Sequence, residues 1–380
     1  MKNIVTTILL CVLLLSCSSP ETPLISLSGK TMGTTYSVKY VNSDGATTSL
    51  SPKQVQDKIE LLLANINQLM STYIPDSELS MLNKVQAGVS FPISAETEFV
   101  LREALKLNRL SQGMLDITIG PIVNLWGFGP TKRPNKIPSQ TLLDETLAYV
   151  GVNQFTLTNS EVVKHHQNVY IDLSTIAKGY AVDRIADLLM QNSLSNYLVE
   201  IGGEMRVAGT KANKEKWIIA IEKPISGERA IQQIISIGDN AIATSGDYRN
   251  YYEEDGVRYS HLINPKTAYP IQHNLVAVTV VAPTSIAADG LATALIIMGS
   301  EQGIKLAESQ SIAALFITKV GNEFVEYQKE YLEILKIVKG KNLNKSRIKI
   351  TLSRWVKINL GDALRINIYH NERHILQAIR

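Results

Sequence analysis

The sequence predicts an α+β fold built as one large unit. Helix-like and strand-like segments are mixed without the regular alternation that a doubly wound parallel sheet requires. The chain has 380 residues, 45% of them hydrophobic and 19% charged, which suffices for a large core. Because no break in composition precedes about residue 335, we expect a single domain over 28–335.

Helices are predicted where apolar residues recur every three or four positions. In residues 54–73 the apolar positions of one face are Ile59, Leu62, Ile66 and Leu69. A second helix is predicted over 95–111, opening at Ser94 with acids in its first turn. Residues 168–192 are typical of a strand, a turn and a helix, and the run SIAADGLATALIIMG at 285–299 indicates a further helix.

Strands are predicted where apolar and polar residues alternate. A hairpin around a glycine turn is expected in residues 27–41, and another around Gly321 within 311–327. The remaining strands are predicted in 197–209, where a glycine turn separates two of them, in 217–224, near 231–244 and 258–263, and in 275–282. Residues 129–140 contain three prolines and are predicted to be a loop.

Residues 1–16 are typical of an export signal. Lys2 supplies positive charge, and the apolar run after it is too short to span a membrane comfortably. The run closes as LLSC, a pattern similar to a bacterial lipobox, so Cys17 is predicted to carry lipid and to become the first mature residue. An ordinary signal peptide or a short anchor with an incidental cysteine is the alternative. The polar residues 17–27 would form the tether.

Composition excludes several classes of function. The chain has two cysteines, and removal of Cys11 with the signal and lipidation of Cys17 would leave no thiol for a disulfide, metal site or nucleophile. A net charge of +3 gives no argument for nucleic acid, and no such partner is expected. Residues 331–380 hold 11 Lys and Arg against 3 Asp and Glu. The basic extension 336–380 could contact anionic lipid or be poorly specified, and its role stays open.

Asp289 is the only acid in an apolar helical run, with Thr293 four residues later on the same face. A buried carboxylate is costly unless something compensates it. A carboxylate and a hydroxyl are hard oxygen donors suited to Mg²⁺ or Ca²⁺. Spacing alone also permits an Asp that pairs with a lysine or caps a neighbouring helix.

Other segments carry polar groups that suit a phosphorylated ligand. DLSTIAKGY at 172–180 could offer backbone groups to an ion and Lys178 to a phosphate, or be an ordinary turn before a helix. ATSGDYRNYY at 243–252 could bind a phosphate or ring, or form a hairpin. His261 precedes a turn with prolines and could be catalytic or structural. Trp126 and Phe128 could face a ring ligand or the core.

Three common catalytic patterns are missing. The sequence contains no G-x-S-x-G, no H-E-x-x-H and no G-x-G-x-x-G between a strand and a helix. A serine hydrolase, a zinc protease and a Rossmann-type enzyme therefore lack support.

Taken together, the segments resemble the ApbE family of FAD:protein FMN transferases. The matching motifs are TMGTTY (31–36), STY (71–73), DITIGPIVNLWGFGP (116–130), DLSTIAKGYAVD (172–183), IATSGDYRNYY (242–252), SHLINPKTAYPIQHNLVAVTVVAPT (260–284) and ADGLATAL (288–295). They occur in order and cover roughly residues 27–330, which makes the resemblance specific.

The resemblance implies a T-fold-like α+β architecture and a reaction. FAD would be cleaved with Mg²⁺, and FMN would be attached to a Thr or Ser hydroxyl of an exported flavoprotein subunit, releasing AMP. The family's acceptors are subunits of Na⁺-translocating NADH:quinone reductase and of Rnf complexes. A lipid-anchored protein at the periplasmic side of the inner membrane is expected, with the outer membrane as the alternative.

The resemblance also implies site residues. The metal would lie on Asp289, Thr293 and a backbone oxygen at Thr175. The residues expected against FAD are Met32, Tyr73, Met114, Leu115, Asp116, Asp172, Lys178 and Ile263. His261 falls on a motif whose histidine assists proton removal. Some relatives have another acid three residues after the metal aspartate, where this chain has Ala292.

Two further functions share these motifs. A hydrolase would split FAD into FMN and AMP with water as the acceptor. A lipid-anchored protein that binds or stores flavin would show no turnover.

Overall fold

The structure is a computed structural model that describes residues 23–42, 48, 50–130, 137–225, 230–248, 250–321, 323–329, 347–349 and 357–359. The chain divides into two units, residues 1–329 and 330–380. In the second unit, strands β16 (Arg347–Lys349) and β17 (Lys357–Asn359) pair antiparallel, and these are its described residues. The predicted signal, Cys17 and most of the basic extension fall outside the described residues.

An eight-stranded sheet forms the centre of the first unit, in the order β1-β2-β6-β7-β10-β13-β14-β15. These strands are β1 Leu24–Thr31, β2 Thr34–Val41, β6 Asn196–Ile201, β7 Glu204–Ala208, β10 Ala241–Gly246, β13 Leu275–Ala282, β14 Ala313–Val320 and β15 Glu323–Lys329. All neighbours pair antiparallel. The predicted hairpins around the turns at 32–33 and at Gly321 are confirmed.

Seven α-helices accompany the sheet among the described residues. They are α1 Pro52–Met70, α2 Glu78–Lys84, α3 Ala95–Leu110, α4 Gly120–Leu125, α5 Gln140–Leu147, α6 Ala177–Gln191 and α7 Ser285–Ser309, and a short 3-10 helix spans Val152–Gln154. Helices α6 and α7 pack against each other and against the sheet. Their apolar faces join those of α1 and α3 in the main core, which confirms the four helices expected from periodicity.

Short strands complete the unit. They are β3 Ser90–Pro92, β4 Phe155–Thr158, β5 Glu161–Lys164, β8 Ile219–Glu222, β9 Ile231–Ile235, β11 Tyr251–Glu254 and β12 Val257–Ser260. Strands β3, β5 and β4 form one small sheet, and β8–β9 and β11–β12 form two hairpins. Trp217, Ile219 and Ile221 of the β8 segment join a second apolar cluster with β7, β10 and β14.

The central sheet splits between β7 and β10. These strands pair through Ala241 with Arg206 and Ile242 with Met205, whereas β10 stays paired with β13 as far as Gly246. Beyond Ile242 the two strands part, and residues from both line one cavity. The split therefore opens a space between the helices on one side and the β8 strand on the other.

The predicted strand over 168–172 is wrong. Asn168 lies in a turn, and residues 169–172 pair with no strand among the described residues. Instead, the Ile171 N–H donates to Asn83 Oδ1 at 2.8 Å, and the Asp172 N–H donates to the Ile117 carbonyl at 2.7 Å. The alternation that suggested a strand arises because Val169, Ile171 and Leu173 are buried. Helices α2, α4 and α5 were not predicted.

No helix within the described ranges is both long enough and apolar enough to span a bilayer. The predicted loop at 129–140 falls mostly outside those ranges, and its last residue begins α5.

Candidate active site

A cavity of about 790 Å³ lies at the split in the central sheet. Its volume falls within the roughly 300–1,000 Å³ typical of ligand sites. The walls come from the β6–β7 turn, β8, β10, α7 and the segment before α6, together with the loop that precedes α4. Chain segments far apart in sequence thus meet around one space.

The cavity brings together nearly all the site residues expected from sequence. Its lining includes Tyr73, Met114, Leu115, Asp116, Asp172, Thr175, Lys178, His261, Ile263, Asp289 and Thr293. Met32 is not in the lining, because it sits in the β1–β2 turn with φ of 49° and packs half-buried against the main core. Its neighbours Thr34 and Thr35 do line the cavity.

Asp289 projects from α7 and is only 6% exposed. Its Oδ2 accepts a hydrogen bond of 3.0 Å from the Gly179 N–H at the start of α6. Burial raises the pKa of Asp289 to about 8, the Glu204 carboxylate also raises it, and Lys178 and the Gly179 amide oppose both effects. Protein groups alone thus compensate the carboxylate incompletely.

The oxygen donors around Asp289 fit a hard cation. Thr293 lies one helical turn later on α7 and also lines the cavity. The Thr175 hydroxyl oxygen is buried without a hydrogen-bond partner among the described residues. No cluster of three or more His, Cys, Asp or Glu side chains in the described part of the chain is arranged to hold a metal. A cation here would therefore need oxygens from its ligand, as Mg²⁺ does with phosphates.

Lys178 and Glu204 form an ion pair on the cavity wall, with Nζ 2.5 Å from Oε1. Glu204 is 4% exposed, and its Oε2 is buried without a partner among the described residues. Burial lowers the pKa of Lys178, but the Asp289 and Glu204 carboxylates outweigh it and raise the pKa overall. Lys178 is therefore a fixed cation beside Asp289, able to meet a phosphate.

Glu204 was missed by sequence analysis. It is the acid that directly follows the Gly202–Gly203 turn, in a strand whose neighbours are mostly apolar. That unusual position was the available signal, but one acid at the start of a strand rarely identifies a site.

His261 follows β12 and has a defined tautomer. Its Nδ1 lies 3.1 Å from the Asn250 carbonyl, which can only accept, so Nδ1 carries the hydrogen. Burial lowers the pKa of His261, as does nearby Lys178, while the Asn250 carbonyl opposes them. The imidazole is therefore neutral near pH 7, with Nε2 left as a proton acceptor.

The cavity lining also offers aromatic and apolar surface. Phe128 lines the cavity near His261, with ring centroids 6.4 Å apart, and Tyr73 is 67% exposed. Asp116 accepts hydrogen bonds from the N–H and hydroxyl of Thr118, and burial raises its pKa. Trp126 is instead fully buried against the rings of Tyr259 and Tyr269, so it belongs to the core.

The segment 243–252 also reaches the cavity. Thr244, Ser245, Gly246 and Tyr248 line it, whereas Arg249 lies outside the described residues. The Thr244 hydroxyl lies 2.8 Å from that of Thr279 on β13, which ties this wall to the sheet.

An α+β unit whose cavity gathers hard oxygen donors, a fixed lysine and a neutral histidine is typical of a protein that acts on a phosphate-containing ligand. Comparison with known proteins makes this assignment specific. The chain belongs to the ApbE family, whose sequence pattern matches residues 32–316.

Curated relatives and solved structures agree with this membership. The chain is 48% identical over 333 residues to the FAD:protein FMN transferase of Haemophilus influenzae, covering 86% of this chain and 96% of that protein. It is 46% identical over 327 residues to the Vibrio cholerae protein of the same name, with 86% and 97% covered. The structure of the flavin transferase ApbE from Vibrio cholerae superposes with a TM-score of 0.76, covering 82% of this chain and 99% of that one.

Proposed function

We propose that this chain is an FAD:protein FMN transferase that uses Mg²⁺, attaches FMN to a Thr or Ser hydroxyl of a protein acceptor, and releases AMP. Members of its family are transferases, as the names of its relatives state. The observation that carries the finer proposal is the shared cavity of Asp289, Thr293, Lys178 and His261. These groups supply what phosphoryl transfer from a pyrophosphate needs: charge neutralisation and a proton acceptor.

The reaction balances without a further co-reactant. The acceptor hydroxyl oxygen forms a bond to the FMN phosphorus of FAD, and the bond from that phosphorus to the bridging pyrophosphate oxygen breaks. The bridging oxygen leaves with AMP. The hydroxyl proton goes to Nε2 of His261, whose Nδ1–H is held by the Asn250 carbonyl.

The metal would be held by Asp289, Thr293 and a backbone oxygen at Thr175, with phosphate oxygens completing its shell. When bound, Mg²⁺ supplies charge neutralisation on the pyrophosphate and alignment of its oxygens. Lys178 adds a positive charge whose position the buried Glu204 fixes. The apolar wall at Met114, Leu115 and Phe128 suits a ring system and keeps water from it.

The proposal is tested by acceptor labelling. The chain is incubated with FAD, Mg²⁺ and a flavoprotein acceptor domain, with and without chelator. We expect the acceptor to gain the mass of FMN, AMP to appear in equal amount, and chelator to stop both. Free FMN without an acceptor mass gain would instead support an FAD hydrolase. FAD binding without turnover would support a flavin-storage protein.

A pair of histidine variants separates catalysis from folding. His261→Ala removes the proposed proton acceptor. It is expected to slow labelling about 10²- to 10⁴-fold, the contribution typical of a general base. His165→Ala is the matched control, because His165 also makes a ring nitrogen contact to a carbonyl, Asn153 at 2.9 Å, but lies away from the cavity lining. Equal effects of the two variants would remove the catalytic assignment of His261.

We further propose that Cys17 is lipidated and holds the protein at the periplasmic side of the inner membrane, where Na⁺-translocating NADH:quinone reductase or Rnf subunits would be its acceptors. The sequence LLSC supports this proposal. Cys17→Ser is expected to release the protein from the membrane fraction, and mass spectrometry should find lipid on Cys17. Separation of inner from outer membranes decides between the two locations.

The basic extension is proposed to be dispensable for the reaction. Deleting residues 340–380 should leave labelling unchanged, because the described residues that line the cavity all belong to the first unit. Membrane association of the Cys17→Ser chain that is the same with and without residues 340–380 would exclude a lipid-binding role for the extension.

A further inference from the structure

A second, smaller cavity of about 280 Å³ lies outside the candidate active site. The residues that define it here are Asp247, Arg258, Ser260, His273 and Lys319. They come from the loop after β10, from β12, from the segment before β13 and from the end of β14. None of them lines the larger cavity.

The second cavity concentrates polar atoms that have no hydrogen-bond partner within the described part of the chain. Asp247 Oδ1, Arg258 Nε, the Ser260 hydroxyl and both His273 ring nitrogens are buried without a hydrogen-bond partner among the residues the structure describes. Ser260 is only 2% exposed. Leaving one such atom unsatisfied costs roughly 1–3 kcal/mol, so these five atoms favour a polar ligand or bound water in the cavity.

The framework around these atoms is fixed. Arg258 Nη2 donates to the Asp247 carbonyl at 2.6 Å, and its guanidinium stacks 3.7 Å from the centre of the Tyr251 ring. The Gln272 amide donates to the Arg258 carbonyl at 3.1 Å. Because the guanidinium is already held by Tyr251 and the backbone, its free Nε–H is preorganised toward a ligand.

The charge of the cavity is positive. Three basic side chains, Arg258, Lys319 and His273, line it, against one acid, Asp247, among the lining residues that the structure describes. Burial raises the pKa of Asp247, while Arg258, His273 and Lys319 oppose the rise, which places all three basic groups within electrostatic range of it. Arg258 and Asp247 do not neutralise each other closely, since Nη2 lies 4.0 Å from Oδ1.

We propose that the second cavity binds a phosphate group, either free phosphate or a small phosphomonoester. Arg258, Lys319, His273 and Ser260 supply donors for several phosphate oxygens, as in charge-assisted anion sites. Asp247 supplies a carboxylate acceptor, and free phosphate near neutral pH keeps at least one O–H to donate to it. A monoester dianion has no O–H on phosphorus and would have to donate a hydroxyl of its organic part. Sulfate has the same shape and no such hydrogen, so Asp247 would select against it.

The test is a titration of the full chain with inorganic phosphate, sulfate and glycerol phosphate, followed by the ¹⁵N signals of the His273 ring. We expect saturable shifts with phosphate and at least about tenfold weaker binding of sulfate, the cost of one unsatisfied buried acceptor. Binding of glycerol phosphate would identify the site as one for monoesters. Binding of phosphate without binding of glycerol phosphate would identify it as one for the free ion.

Three variants test the same site, so the misfolding of one of them does not prevent a conclusion. Lys319→Ala changes an exposed side chain and should weaken phosphate binding about tenfold or more, the loss of one charge-assisted contact. Lys106→Ala, an exposed lysine of α3, is the control and should bind as wild type. Asp247→Asn should remove most of the preference for phosphate over sulfate.

The proposal is overturned if phosphate gives no saturable shift of His273, or if Lys319→Ala binds phosphate as well as Lys106→Ala does. Equal affinity for phosphate and sulfate in the unaltered chain would also overturn the assignment of the ligand. None of these results depends on the transfer reaction, so they leave the proposed function untouched.

Discussion

The Gly179 amide and the Asp289 carboxylate meet across 110 positions of sequence, in a hydrogen bond of 3.0 Å between α6 and α7. A Cβ atom at Gly179 would lie 2.4 Å from the Ser285 carbonyl oxygen. Only a residue without a side chain lets the two helices approach closely enough for this bond. The glycine of the AKGY motif therefore helps to position the proposed metal ligand.

Gly179→Ala should destabilise the protein and impair transfer. The new methyl meets backbone atoms, so α6 and α7 must separate, at a cost of about 1–3 kcal/mol for an overpacked core. The higher helix propensity of alanine, about 1 kcal/mol over glycine, offsets only part of this cost. Urea unfolding measures the first effect and acceptor labelling the second.

Gly290→Ala is the control for this substitution. Gly290 is also in a helix beside Asp289, but its Cβ would meet Leu107 Cδ1 at 2.5 Å and Ile176 Cγ2 at 3.0 Å. Those are side-chain methyl groups, which can shift more easily than the backbone carbonyl that a side chain at Gly179 would meet. We expect a smaller loss than in Gly179→Ala, and a larger one would contradict the account of helix contact.

Asp183 is predicted to be the acid that fixes the start of α7. Its carboxylate accepts bonds of 2.9 Å from the N–H groups of Ser285 and Ile286, and another of 2.9 Å from Arg206. Thr284, at the N-cap, makes no side-chain cap. Asp183→Ala should cost about 3–5 kcal/mol, because it leaves buried donors and a cation without a partner. Denaturant unfolding tests this value.

Asp187→Ala gives the matched comparison. Asp187 also reaches Arg206, at 3.6 Å, but its side chain is 44% exposed against 11% for Asp183. An exposed ion pair contributes at most about 1 kcal/mol. Comparable losses in the two variants would show that Asp183 stabilises α7 only through its charge pair with Arg206.

Local patterns predicted the four long helices and several strands, whereas the site residues were expected from the family resemblance. The amphipathic runs of α1 and α3 and the glycine turns of the hairpins are local signals, and each formed as expected. The motifs shared with the family indicated which segments, remote in sequence, form one site, although the contacts between those segments cannot be derived from local patterns.

Features that depend on partners distant in sequence escaped prediction. The segment 168–172 has a strand-like alternation, but its polar groups bind elsewhere: Lys164 Nζ donates to the Val169 carbonyl at 3.3 Å, and Asn83 holds Ile171. Glu204 and Asp183 look like ordinary charged residues in sequence. Only the packed structure shows that they hold Lys178 and the start of α7.

Asp289→Asn should abolish stabilisation by Mg²⁺ in the presence of FAD. The substitution removes the charged oxygen donor but keeps its shape, so FAD alone should still raise the melting temperature. Mg²⁺ should then add nothing, whereas it should add a further rise in the unaltered chain through binding to the folded state. Thermal unfolding with and without each component makes the measurement.

Asp116→Asn is the control for the cation. Asp116 also lines the cavity with a carboxyl group whose pKa burial raises, but Thr118 already satisfies it with two hydrogen bonds. Its loss should leave the increment from Mg²⁺ in place. An increment that survives in Asp289→Asn but vanishes in Asp116→Asn would move the proposed metal site from Asp289 to Asp116.

His261 should give the reaction its acid limb. Burial, the largest cause, and Lys178 lower the pKa of its imidazole below the ordinary value of about 6.5. Neutral His261 is the proposed proton acceptor, so kcat/KM should fall on acidification with an apparent pKa below about 6.5. His165→Ala should keep this limb, and a midpoint at or above the ordinary value would contradict the assignment.

The same pKa shift predicts the sign of a stability change. Below about pH 6.5 the unfolded chain binds a proton at His261 more readily than the folded chain does. The free energy of unfolding therefore decreases as the pH is lowered through this range. His261→Gln removes this contribution, because glutamine does not titrate. The stability of the unaltered chain relative to His261→Gln should therefore decline from about pH 7 to about pH 5. A constant or rising difference in urea unfolding would show that the imidazole is protonated as readily in the folded chain as in the unfolded one.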